Sequence, residues 1–129
     1  MRIKRTFLFL FPAILFCKSF TVDSKIDKEI AYIGDIIKWT ILVENYDKRK
    51  FNFPVISDQD ESISIIKHQI IYNNKDPIGI EFELTAWDTG KFTTPNFSFD
   101  IMKNNEVDYS FQLDPIDFEV ISILTTIDK

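Results

Sequence analysis

After residue 20, apolar residues recur at almost every second position, and this alternation restricts the chain to strands with one dry face. Ile37, Trp39, Ile41 and Val43 alternate with Lys38, Thr40, Leu42 and Glu44. Ile80, Phe82, Leu84 and Ala86 alternate with Glu81, Glu83, Thr85 and Trp87, and Ile116, Phe118 and Val120 flank Asp117 and Glu119. Side chains two apart in a strand share a face, so each run presents one apolar side to a core. Phe, Ile, Trp, Tyr, Val and Thr dominate these runs and suit a pleated, half-buried surface. No helical periodicity follows the N-terminal segment.

Turn formers punctuate the runs at Gly34-Asp35, Asn73-Asn74-Lys75-Asp76-Pro77, Asp88-Thr89-Gly90 and Lys103-Asn104-Asn105. The spacing predicts strands near 21–31, 36–46, 51–56, 63–72, 79–88, 91–94, 97–102, 107–113 and 116–124. The expected fold is all-β, an immunoglobulin-like β-sandwich of seven to nine antiparallel strands. Its inward set should include Trp39, Ile41, Val43, Phe82, Leu84, Phe92 and Phe118. Ile63 and Ile65 have one parity while Ile66, Ile70 and Tyr72 have the other, so a bulge is expected there, or a strand buried on both faces. For the hairpin around Asn104, a three-residue loop pairs Ile101 with Val107, Phe99 with Tyr109 and Phe97 with Phe111. That register gives one continuous apolar face, with Asn105 in the left-handed position. The apolar ladder is read as a wall of the core, with a sticky outer face as the alternative.

The first 19 residues read differently. Met1-Arg2-Ile3-Lys4-Arg5 is basic, and Phe7 to Phe16 is apolar apart from Pro12. A short positive stretch before about ten apolar residues has the form of a secretory signal, too short to span a bilayer. Cleavage after Ser19 places Cys17 and Ser19 at positions −3 and −1, and Cys17 also admits a lipoprotein. The expected organisation is a signal peptide at 1–19, a sandwich at 20–124 and a tail at 125–129. Cys17 is the chain's single cysteine, so the exported domain is expected to hold itself together without a disulfide. Loss of Arg2, Lys4, Arg5 and Lys18 takes 15 basic residues to 11 against 20 acidic ones, a net charge of −9. An acidic surface of this size disfavours nucleic acid and anionic lipid as partners. No transmembrane helix is expected in the mature chain.

The residues of chemistry are few. His68 is the only histidine and has no serine or cysteine that the sequence places beside it, whereas general base work needs a positioned second group. Gly34, Gly79 and Gly90 are the only glycines, so no phosphate loop exists, and zinc lacks its usual cysteine pairs or second histidine. Asp58-Gln59-Asp60-Glu61 is the densest acidic cluster; it lacks the EF-hand spacing and reads as a solvated loop rather than a calcium site. Trp87 with Phe51-Asn52-Phe53 offers an aromatic platform for sugar stacking. No catalytic, cofactor-binding or metal-binding residue is assigned, and no cofactor is expected.

Two segments carry a family resemblance. In Tyr32-Ile33-Gly34-Asp35-Ile36-Ile37-Lys38-Trp39-Thr40-Ile41-Leu42-Val43 a Gly-Asp turn feeds a strand with an inward aromatic. In Leu84-Thr85-Ala86-Trp87-Asp88-Thr89-Gly90-Lys91-Phe92-Thr93-Thr94-Pro95 a strand ends in Asp-x-Gly, an aromatic follows, and Pro comes three residues later. With the closing Leu113-Asp114-Pro115-Ile116-Asp117-Phe118-Glu119-Val120, they make the chain resemble the N-terminal domain of the BatD-type oxygen-tolerance family of bacteria. The resemblance implies an exported, periplasmic or secreted protein that binds protein partners in the cell envelope, von Willebrand A-domain proteins among them. The chain departs from the family in having one domain, in lacking a C-terminal helix, and in placing Thr94 where an aliphatic residue is usual. Within the second segment, Asp88-x-Gly90-x-Phe92-x-Thr94 has the form of the tyrosine corner of immunoglobulin domains, with Phe92 keeping the packing and Trp39 expected to cover it. The expected function is a non-catalytic protein-interaction module, with a carbohydrate-binding module using exposed aromatics as the alternative.

Overall fold

The computed structural model describes residues 20–45 and 50–122, so the expected signal segment, Cys17 and the tail at 125–129 lie outside the described residues. The described residues form ten strand segments and no helix: β1 (Phe20–Ile26), β2 (Ile30–Tyr32), β3 (Ile36–Asn45), β4 (Lys50–Asn52), β5 (Ile63–Asn73), β6 (Asp76–Ala86), β7 (Gly90–Thr93), β8 (Ser98–Lys103), β9 (Glu106–Gln112) and β10 (Asp117–Ile121). With no helix among the described residues, none is long and apolar enough to cross a membrane.

One layer is a four-stranded sheet in the order β1-β3-β6-β5, the A-B-E-D order of an immunoglobulin sandwich. The facing layer consists of two three-stranded pieces, β4-β8-β9 and β2-β10-β7. These pieces are halves of one ribbon. Ser98 stands opposite Gln112 and Thr93 opposite Asp117, two rungs of the same uninterrupted register. Between them Pro95 falls opposite Pro115 in that register, and neither ring nitrogen can donate a ladder hydrogen bond. The break is bridged by Thr94 N–H to Ile116 O at 2.9 Å and Leu113 N–H to Phe97 O at 3.0 Å. With β7 continued by β8 and β9 by β10, the ribbon supplies the F and G strands, and β4 supplies a short C strand.

The all-β sandwich agrees with the expectation, and its strands differ in three details. The predicted strand 21–31 is two strands, because Asp27 ends β1: its N–H donates to Lys38 O and its carboxylate accepts from Lys38 N–H. The chain then changes layer, and β2 runs parallel to β10, so the strands are not all antiparallel. The hairpin loop is two residues, Asn104-Asn105, not three, with φ of 54° and 65°. Two successive positive φ values match the right-handed twist of a hairpin. That turn alone would set apolar against polar side chains. A register shift beyond Met102–Val107 corrects it by looping out Asp108, so that Ile101 meets Tyr109 and Phe99 meets Phe111. On β8 this ladder is core, but Val107 and Tyr109 on β9 are exposed, so the expected core wall is only half realised. The phase change in β5 is the expected bulge, at Ile66.

Between the layers, aromatic rings gather in two groups within an otherwise aliphatic core. Trp39 packs on Phe82 at 5.1 Å and edge-on to Phe97 at 6.0 Å, joining β3 and β6 to the ribbon. Phe51, Phe53, Phe99 and Phe111 form a second group, reached from β1 by Phe20. Each such ring pair adds about 0.5–1.5 kcal/mol beyond the area it buries. Trp39, Ile41, Val43, Phe82, Leu84 and Phe118 are buried as expected, and Phe92 is half-buried. Buried polar atoms are satisfied: Trp39 Nε1 donates to Ser24 Oγ at 3.0 Å, and Thr85 Oγ1 to Asp35 O at 2.9 Å.

Gly79 of β6 lies opposite Leu42 of β3, and a Cβ built there collides with the Ile41 carbonyl oxygen. A backbone atom cannot swing aside as a side chain can, so Gly79→Ala should destabilise the fold by about 1–3 kcal/mol. Urea denaturation of the variant beside the native chain measures it.

Candidate cleft beside the free edge of β7

The C strand stops early. β4 pairs with β8 only over Lys50–Met102, Phe51–Ile101 and Asn52–Asp100. Phe53 and then Pro54 follow, and a proline cannot continue a ladder as a donor. The chain leaves the sheet, and among the described residues β7, the lower half of the F strand, forms the end of its sheet with β10 on one side only.

Backbone parity fixes which groups β7 presents there. Thr94 N–H bonds Ile116 O, so in this antiparallel pair residues 94, 92 and 90 turn their peptide groups toward β10. Lys91 and Thr93 therefore turn theirs outward. The other side of β10 follows the complementary parity, with Glu119 N–H donating to Glu29 O at 2.8 Å.

Beside this edge lies an open cleft of about 900 Å3. Ile63 and Ile65 of β5 form one wall, and β7 with the inward rings of Phe92 and Phe118 the other. The two rings lie 6.0 Å apart, tilted by 33°. Four carboxylates, Glu29, Asp60, Asp117 and Glu119, also line it, against one lysine, Lys91. One end is closed by a side chain acting as a strand. Gln59 Nε2 donates to Asn96 O at 3.0 Å, and its Oε1 accepts from Asn96 N–H at 2.8 Å. β7 itself begins at Gly90, at φ 141°, a conformation that side-chain-bearing residues rarely adopt.

Residues singled out in the sequence are distributed as follows. In the corner motif, Phe92 packs on Phe118, whereas Trp39 packs on Phe82 and Phe97 and does not cover Phe92. Thr94 is 1% exposed and accepts from Ile116 N–H at 2.9 Å through its hydroxyl. An aliphatic residue could not supply that acceptor. The acidic loop is structural: Asp58 accepts from Ile65 N–H and Asp60 from Ser62 N–H, so the carboxylates hold the turn into β5. His68 stands exposed on β5, opposite Phe82 in the register. Phe51 and Phe53 are buried, so the aromatic platform expected with Trp87 is not assembled; Trp87 is exposed and its Nε1 donates to Ser64 Oγ. Among the described residues no three or more His, Cys, Asp or Glu side chains group to hold a metal. The cleft itself was not foreseen. Its signals in the sequence are Pro54, which truncates the C strand, and Gln59, read there only as part of an acidic loop.

Removing the Thr94 hydroxyl leaves the Ile116 N–H without its partner, which costs about 1–3 kcal/mol in a buried setting. Thr94→Val, nearly identical in shape, should show that loss in a thermal or urea melt, while Thr94→Ser should keep most of the stability. No protein-family model matches the chain, and neither the curated proteins nor the solved structures contain a match.

Proposed function

We propose that this domain is a protein-interaction module that takes an extended segment of a partner as an extra strand along β7. The observation that carries this reading is the conjunction of an unpaired strand edge with an open, partly apolar cleft where the C strand would continue. Strand addition draws affinity from backbone hydrogen bonds and specificity from pockets for alternate side chains, and both elements lie side by side here.

The remaining edges are poorer receivers. β5 carries the Ile66 bulge followed by Lys67, and β9 carries the Asp108 bulge. β2 and β4 are three residues each. β1 alternates half-buried side chains with exposed Thr21, Asp23 and Lys25. Bulges, short edges and charges are the usual means of blocking unwanted pairing. A role in the bacterial cell envelope, with protein partners of the kind the BatD-type resemblance implies, fits a module of this sort.

Thr93→Pro tests the reading. It removes an outward N–H and leaves the bonds from β7 to β10 in place. Segments selected from a displayed library of random decapeptides should protect the Lys91 and Thr93 amides from hydrogen exchange, and Thr93→Pro should weaken their binding at least tenfold with little change in melting temperature. Protection that appears only at other edges, or binding indifferent to Thr93→Pro, contradicts the assignment.

A further inference from the structure

We infer that the segment received at β7 is about five residues long and alternates apolar with basic side chains. This rests on the strand-addition reading and adds the chemistry of the occupant. Length follows from the two ends of the edge. At Asn96 both outward backbone groups are already held by the Gln59 amide, and at the other end the strand begins at Gly90. Gly90 turns its peptide groups toward β10, so residues 91–95 set the reach, on the order of 17 Å at about 3.3 Å per residue.

Alternation follows from the two sides of the added strand. One side faces Ile63, Ile65 and the Phe92 ring, which calls for apolar side chains at every second position. The other side follows Thr93 and Lys91 onto the outer surface of β10, where Asp117 and Glu119 stand opposite them in the register. Asp60 and Glu29 add to the same lining, so carboxylates outnumber the single ammonium four to one. Two strand spacings are about 9.6 Å, a distance a lysine or arginine side chain largely covers. Complementary charge of this kind sets partner choice and association rate more than tightness.

The experiment uses the full chain and three fluorescently labelled heptapeptides read by anisotropy. One alternates lysine with valine, one alternates glutamate with valine, and one is the lysine peptide N-methylated at alternate residues along a single edge. The lysine peptide should bind at least tenfold more tightly than the glutamate peptide, and raising the salt should narrow the gap. Asp117→Asn combined with Glu119→Gln should weaken the lysine peptide several-fold while the melting temperature stays near native. Equal binding of the lysine and glutamate peptides, with the N-methylated lysine peptide failing to bind, overturns the charge pattern and leaves strand addition standing. Binding of the lysine peptide that survives both N-methylation and Thr93→Pro overturns strand addition itself, because it reduces the effect to attraction by an acidic surface.

Discussion

The architecture depends on one constraint, the single register that the F–G ribbon keeps through its two proline breaks. Because Thr93–Asp117 and Ser98–Gln112 are rungs of one ladder, the upper and lower halves of the sandwich cannot slide relative to each other. A slip of one residue would turn the inward set of one strand out of the core, either Phe92, Phe99 and Ile101 or Phe118 and Val120. The opposed prolines remove backbone bonds from the middle of the ribbon, and Thr94 and Leu113 restore the contact on either side. The ribbon is thereby free to turn at its waist, so that its upper half pairs with β4 and its lower half with β2.

This division also makes the cleft. The upper half has a C strand beside it and the lower half has none, since Pro54 leads the chain away from β8. The Asp58 and Asp60 turn bonds then deliver the chain to β5 in the other layer. The same step that exposes the β7 edge therefore also builds the opposite wall of the cleft, from Ile63 and Ile65. Carboxylates that look in the sequence like candidates for an ion are spent on backbone N–H groups.

Most of the fold was legible because burial on one face imposes a period on the sequence, and that period needs no knowledge of the partner strand. The β3 and β6 runs and the Ile66 bulge are of this kind. What was not legible involved competition between local and distant demands. At Asn104-Asn105 the turn conformation and the core register ask for different loop lengths, and the looped-out Asp108 reconciles them. At Asp27 a side chain binds a backbone eleven residues away and ends a strand whose alternation continues past it. The Trp39 partner was misplaced because parity gives the face a ring occupies, not the height at which it meets the opposing layer. The cleft was illegible for a related reason: it is made by a neighbour that is missing, and alternation records only the neighbours that are present.

The Gln59–Asn96 exchange also limits how far the open edge extends. Two bonds from one exposed side chain hold the loop against the ribbon at this point, and breaking both costs on the order of 1–3 kcal/mol. The Asp58 and Asp60 carboxylates fix the same loop from the β5 side, so the clasp is braced against both layers. An incoming chain that reaches Asn96 meets a backbone already paired on both its outward groups, so the clasp acts as a stop that sets where an added strand ends.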